Sequence, residues 1–412
     1  MATELSPQLI LPPEAEWGPT FDAARAIDAY VATIPAAERE KSDAYFEGGY
    51  WIEAWGALIT VLVAWLLLRA RFSARLRDLA ERSSRFRFLQ TYIGVAAILL
   101  VMSLLTLPWT LYTGYFREHQ YGMSNQTLGA FLGEWLIGFA LFLVFGSLAI
   151  AGIYALVRRV HDRWVYWATG VTALFLLFTI LVYPVFVAPL FNKYESLPAG
   201  EVRESILALA RDNGVPADDV FWYDASRQTK RISANISGIA GTTRIALNDN
   251  LLNGTTPAEI RAVMAHEMGH YVLNHSLWIP LGLSILFGIG FWAVNRLFGH
   301  LQRRHGARWG VRDLGDIAGL PLAMAIFSVV MLLLAPLNKS IIRVGENQAD
   351  AFGLDAAREP HGFASVAMRL ATYRKIEPSA LEEALLFDHP SGRTRVESAM
   401  RWLAEHPPTS GQ

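Results

Sequence analysis

Hydrophobic positions in this chain gather into long runs separated by polar stretches, and the runs set the architecture. Six of them reach the roughly 17–25 residues that a helix needs to cross a bilayer. They lie near Trp51–Leu68, Phe88–Tyr112, Leu132–Val157, Trp164–Leu190, Leu277–Phe298 and Leu314–Leu337. Pro108 and Pro184 fall inside the second and fourth, which a membrane helix tolerates when neighbouring groups re-satisfy the freed backbone. Trp51, Trp55, Tyr112, Trp164 and Tyr166 stand near run ends, where amphipathic rings anchor at the interface. Six buried helices of a large soluble core would be the alternative; the run lengths and aromatic content argue against it.

The polar stretches carry other periods. Glu201–Asn213 has the pattern of an amphipathic helix stopped by Gly214. Val220–Tyr223 is a short strand candidate, and Arg231–Ser237 with Thr243–Leu247 brackets Gly238–Gly241 as a β-hairpin. From Asn338 onward the pattern is helical, ending in a polar tail, His406-Pro407-Pro408, expected to be unstructured. The expected order is therefore a polar segment (1–50), spans one to four (51–191), a small α+β domain (192–276), spans five and six (277–337), a C-terminal segment (338–404) and a tail (405–412). The fold class is an all-α polytopic membrane protein carrying a small α+β domain.

Composition agrees: 53% of residues are hydrophobic and 18% charged, with a mean hydropathy of +0.27, the range of a membrane protein. A net charge of −1 leaves no electrostatic footprint for nucleic acid. The absence of cysteine excludes disulfides, thiolate ligands and a prenylated terminus. Leu9-Ile10-Leu11 is too short for a signal-peptide core, so the first span is expected to direct insertion. Arginine supplies all but five of the 36 basic residues and alanine is abundant, which hints at a GC-rich bacterial genome and hence a plasma membrane, with the endoplasmic reticulum membrane as the expectation for a eukaryotic source.

The candidate chemistry centres on His266-Glu267-Met268-Gly269-His270. Residues i and i+4 share a helix face, so both imidazoles reach one metal, with Glu267 beside them to take a proton from its water. Thr256, Pro257 and Glu259 form the N-cap, first position and third position of a capping box that starts this helix. A hydrolytic zinc needs three protein ligands and one open position. Two spans separate His270 from Glu346 and Asp350, so an even number of crossings returns the chain to the face it left. Glu346 is expected to be the third ligand. Asp350, four residues on, is expected to accept a hydrogen bond from a ligating imidazole. In Asp388-His389-Pro390-Ser391, His389 can donate to the oxyanion of a tetrahedral intermediate, and Arg395 can hold Asp350 or a substrate carbonyl. That last loop is weak on its own, being more readily a surface loop.

These residues, with Leu107-Pro108-Trp109, Tyr121-Gly122-Met123-Ser124-Asn125-Gln126-Thr127 and Ala188-Pro189-Leu190-Phe191, resemble the type I CAAX prenyl protease family, integral-membrane zinc metalloproteases. The resemblance covers about Arg87 to Arg401. It implies a ring of tilted helices around a water-filled chamber with one Zn2+ near its mouth, ligated by His266, His270 and Glu346. It further implies Glu267 as base, with Asp350 and His389 supporting the transition state. A substrate strand would add antiparallel to the edge Ile232-Ser233-Ala234-Asn235, with Asn235 holding its backbone. Partners implied are a peptide or protein substrate, lipidated in the family, and membrane lipids. The chain departs in having six expected spans where eukaryotic members have seven, with the polar segment Glu14–Glu53 in place of the first. A bacterium also lacks ordinary protein prenylation, which leaves two rivals: a membrane quality-control protease without CAAX specificity, and a non-enzymatic membrane protein with a vestigial metal site. Glu267 argues against the second, since a structural site needs no base.

Orientation divides the expectations. The connections after spans one, three and five hold fourteen arginines between Arg69 and Arg312, whereas Thr113–Phe131 holds only Arg117. The positive-inside rule thus puts the metal face outside, while the resemblance puts it in the cytosol.

Overall fold

The computed structural model describes residues 7–238 and 243–408, apart from the Asp162 side chain. Five helices are long and apolar enough to cross a membrane: Ala36–Arg69, Arg87–Gln120, Leu128–Val160, Trp164–Leu190 and His275–Trp309. The sixth run, Ile317–Leu333, breaks at Leu334 and resumes as Ala335–Ala357 after a 55° bend. Pro336 sits in the first turn of the new helix, where its missing N–H costs nothing. Each span packs on the next and the sixth closes on the first, so the six form a ring. In spans three and four only 11% and 6% of the apolar window is buried, against 39% in span five. These walls are thin, open on both faces. Spans two, three and four each contain a π-helical turn, Tyr112–Phe116, Phe142–Gly146 and Tyr183–Val187. The first follows Pro108 and the last includes Pro184, both of which withdraw a backbone donor.

The first span is longer than its apolar run because its helix begins at Ala36, inside the segment read as merely polar. That segment also forms the helix Ala23–Ala32, capped by Asp22, whose carboxylate accepts from Ala24 and Arg25 N–H. Its Ala26, Ile27, Tyr30 and Val31 share a core with Phe363, Val396, Met400 and Leu403 near the C-terminus. Residues preceding the first span thus pack on residues following the last. That contact requires an even number of crossings, so the bent pair counts as one span and the total is six.

Among the described residues the small domain contains four strands, β1 (Tyr194–Ser196), β2 (Val220–Tyr223), β3 (Ala234–Ser237) and β4 (Arg244–Asn248), ordered β1-β2-β4-β3. β2 and β4 are parallel; the other pairs are antiparallel, with Asn235 opposite Ala246. The expected hairpin is therefore β3–β4, although most of its turn, 239–242, lies outside the described residues. The strand β1 was not anticipated. Ile245 and Leu247 of the sheet bury against Ile206 and Leu209 of the helix Glu201–Asp212 and against Ile260, Met264 and Met268 of the helix Pro257–Val272. Among the described residues β3 keeps one edge unpaired. The helix Pro257–Val272 stands beside it.

Candidate metal centre

The helix Pro257–Val272 starts where the sequence places it. Thr256 Oγ1 accepts from Glu259 N–H at 3.3 Å and Glu259 Oε2 accepts from Thr256 N–H at 2.7 Å. Glu259 is fully buried, and its other oxygen accepts from Ser365 Oγ and Arg369 Nε, both at 2.6 Å. The cap thereby ties the metal helix to the helix Pro360–Leu370. On another face it meets Ala335–Ala357 at backbone distance. A Cβ on Gly269 would stand 3.0 Å from Ala349 Cα, and one on Gly353 would stand 3.0 Å from His266 N. The two glycines let the helices approach closely enough for Glu346 to reach the two histidines.

His266, His270 and Glu346 offer ligand atoms that all lie within 4.8 Å of one another. His266 Nε2 is 3.1 Å from His270 Nε2 and 3.5 Å from Glu346 Oε2; His270 Nε2 is 3.3 Å from Glu346 Oε1. Tetrahedral bonds of about 2.0–2.1 Å would separate ligands by roughly 3.3 Å. The outer nitrogens are engaged elsewhere. His266 Nδ1 lies 2.7 Å from Asp350 Oδ1. His270 Nδ1 lies 2.8 Å from His275 Nδ1, and His275 Nε2 lies 3.1 Å from Gln348 Oε1. With Nδ1–H of both ligands directed outward, two Nε2 lone pairs and a carboxylate face one point. A metal cation would relieve that arrangement, and the donor set fits zinc.

Other expected residues converge here. Arg395, almost wholly buried, donates from Nε to Asp350 Oδ2 and from Nη2 to Glu346 Oε2, both at 3.0 Å. It is thus spent on the two carboxylates; of the two roles its residue type allowed, the geometry favours holding Asp350. His389 points Nε2 to within 3.3 Å of Glu346 Oε2 and has Nδ1 2.8 Å from Asp388 Oδ1. Burial pushes the Glu267 carboxyl up, against the opposing pull of His266 and His270. It also pushes the His389 imidazole down, which Asp388 opposes.

A cleft of about 280 Å³ is lined by the ligands, Glu267, His389, Arg395 and, on the strand side, Ile232, Ser233 and Ala234. Asn235 lies one step away. It lines a larger apolar cavity of about 660 Å³ that shares His270 with the cleft and extends between spans four and five. The cleft and this cavity flank the free edge of β3. Two further stretches dock the domain onto the ring. Asn125 Nδ2 donates to Ser226 O at 2.7 Å, Ser124 bridges to Thr229, and Gln228 Nε2 donates to Phe191 O at 3.2 Å. His275 and Gln348 were not anticipated. The available signal was a histidine five residues past His270, at the mouth of a span.

Residues 25–193 match the family described as CAAX prenyl protease N-terminal, five membrane helices, and residues 196–403 match peptidase family M48. Within 25–193, four helices among the described residues are long and apolar enough to span. The uncharacterized metalloprotease YhfN of Bacillus subtilis is 30% identical over 81% of this chain and 79% of its own. The CAAX prenyl protease 1 homolog of Oryza sativa subsp. japonica is 27% identical over 70% of this chain and 68% of its own. The crystal structure of S. mikatae Ste24p shares the fold, with a TM-score of 0.71 over 89% of each chain at 20% identity. The six-helix ring, the small sheet and the His-Glu cluster are thus those of a multi-pass membrane metalloprotease, and the chain belongs to peptidase family M48, in the branch that carries the CAAX prenyl protease membrane domain.

Proposed function

We propose that the metal is zinc, one per chain, held by His266, His270 and Glu346, and that the enzyme is an endopeptidase acting on extended, membrane-anchored peptides. One observation carries the reading: the cluster opens, with Glu267, onto a cleft bordered by the free edge of β3. Zinc bound there would act as a Lewis acid on the scissile carbonyl and lower the pKa of its water from 15.7 toward about 7. The chain's own groups do the rest. The edge of β3 pairs with the substrate backbone, which gives grip with little sequence demand, and Asn235 adds a hydrogen bond at the cavity side. Glu267 takes a proton from the attacking water and passes it to the leaving amine. Its burial keeps the carboxyl basic enough for the first transfer. His389, whose Nδ1–H is held by Asp388, donates from Nε2 to the developing oxyanion in its doubly protonated form, which the Asp388 carboxylate favours against the effect of burial. Asp350 fixes the tautomer of His266, and Arg395 fixes Asp350 and Glu346 together.

The apolar cavity between spans four and five supports a substrate with a lipid or strongly apolar segment on the N-terminal side of the cut, as in the prenylated substrates of the relatives named for them. We place the metal face toward the cytoplasm of a bacterial plasma membrane. Cleavage of a farnesylated peptide beside its unmodified twin tests the substrate class. Faster cleavage of the farnesylated peptide is expected. Equal rates on both would favour a general membrane protease.

A further inference from the structure

Resting on the proteolytic reading, we propose that Arg374 is the anchor of a carboxylate subsite that receives an anion on the C-terminal, leaving side of the substrate. The direction of the substrate comes from the sheet. A strand antiparallel to β3 puts its N-terminal part opposite Ser237 and its C-terminal part opposite Ala234 and then Ile232. Ile236 and Ser237 line the apolar cavity, whereas Ile232, Ser233 and Ala234 line the metal cleft. The leaving fragment is therefore carried toward the end of the cleft farthest from the apolar cavity.

At that end stand Tyr373, Arg374 and His389, which also line a third cavity of about 370 Å³. This cavity is rich in cations, and most are already satisfied. Arg231 pairs with Glu118 at 2.7 Å, Lys339 with Glu53 at 2.7 Å and Lys375 with Glu382 at 3.0 Å. Arg374 differs. Its Nη1 is withdrawn from solvent and has no hydrogen-bond partner, and its guanidinium forms no ion pair among the described residues. The nearest arginine toward the metal, Arg395, is consumed by Glu346 and Asp350. A half-buried guanidinium whose Nη1 is closed off from solvent without a partner is unfavourable unless an anion completes it, and its planar fork matches a carboxylate. The carboxylate has two sources in a peptide, the C-terminus or an acidic side chain.

The test uses the full-length, metal-loaded protein in detergent and three forms of one peptide: a free C-terminal acid, the C-terminal amide, and an amide ending in Asp. The free acid is expected to exceed the plain amide in kcat/KM by about 10–100-fold, the span of a charge-assisted hydrogen bond. Arg374→Gln should bring that ratio near one, while Arg374→Lys should keep part of it. An Asp amide as good as the free acid assigns the subsite to acidic side chains and still supports it. Wild-type protein that cuts all three equally overturns the proposal even if Arg374→Gln does not fold, as does Arg374→Gln with the wild-type ratio. Wild-type protein that cuts none of them overturns the proteolytic reading instead.

Discussion

At His270 the choice of which ring nitrogen carries the proton is made by residues that touch no substrate. His275 accepts at Nδ1 and passes its own Nε2–H to Gln348, so His270 turns its lone pair inward. His266 is oriented differently, by the Asp350 carboxylate that Arg395 holds. One ligand thus rests on an ion pair and the other on a neutral relay. Removing such a partner typically costs 10–100-fold in metal affinity or activity. Asp350→Asn and His275→Ala are both expected to lose metal affinity by ~10–100-fold, measured by competition with a chromophoric chelator. Metal affinity equal to wild type in His275→Ala would show that the relay does not orient His270. The cluster of His266, His270 and Glu346 was legible because a metal site demands a strict helical spacing. The relay was not, since a histidine at the entrance of a span is also an ordinary interfacial residue. Arg374 was likewise silent in the sequence, because only an Nη1 closed off from solvent without a partner distinguishes it from a solvated arginine.

Between elements, what matters is how closely the metal helix and Ala335–Ala357 approach. Gly269 and Gly353 sit where a Cβ would strike the facing backbone at 3.0 Å. In an open helix Gly→Ala stabilises by about 1 kcal/mol; here the sign should reverse, with overpacking costing roughly 1–3 kcal/mol. Gly353→Ala is expected to lower both the thermal midpoint and the bound metal, because the shift it forces carries Glu346 away from the histidines. A raised midpoint with full metal would contradict the close-contact account. Of the fold, the long spans and the amphipathic helix Glu201–Asp212 were readable because their periods repeat over many residues. The strand β1 has three residues, too few for any period to declare itself. The N-terminal helix was passed over for a related reason: Ala26, Ile27, Tyr30 and Val31 make a narrow apolar stripe in an otherwise polar stretch. Much of what covers that stripe, Phe363, Val396, Met400 and Leu403, lies more than 300 residues away in sequence.

For the whole molecule, the packing of residues 10–31 on 363–403 fixes the parity of the crossings and puts both ends of the described chain on the metal side. Among the arginines of the opposite face, Arg77 is paired with Asp316 and Arg312 with Glu81, and Arg71 and Arg158 donate to protein oxygens. These four build the fold, which trims the positive-inside bias without reversing it. With the metal face in the cytoplasm, a cytoplasm-only fluorescent protein fused after Gln412 should fluoresce, whereas activity of a periplasmic phosphatase at the same junction would reverse the assignment. The account as a whole stands on Glu267 acting as the base at a bound metal. The direct measurement is metal content and peptide turnover, side by side, for the wild-type protein and Glu267→Gln. The prediction is one zinc per chain in both, with turnover that a chelator abolishes and zinc restores in the wild type and nearly none in the variant. A Glu267→Gln protein that turns over at the wild-type rate with its zinc in place would contradict it.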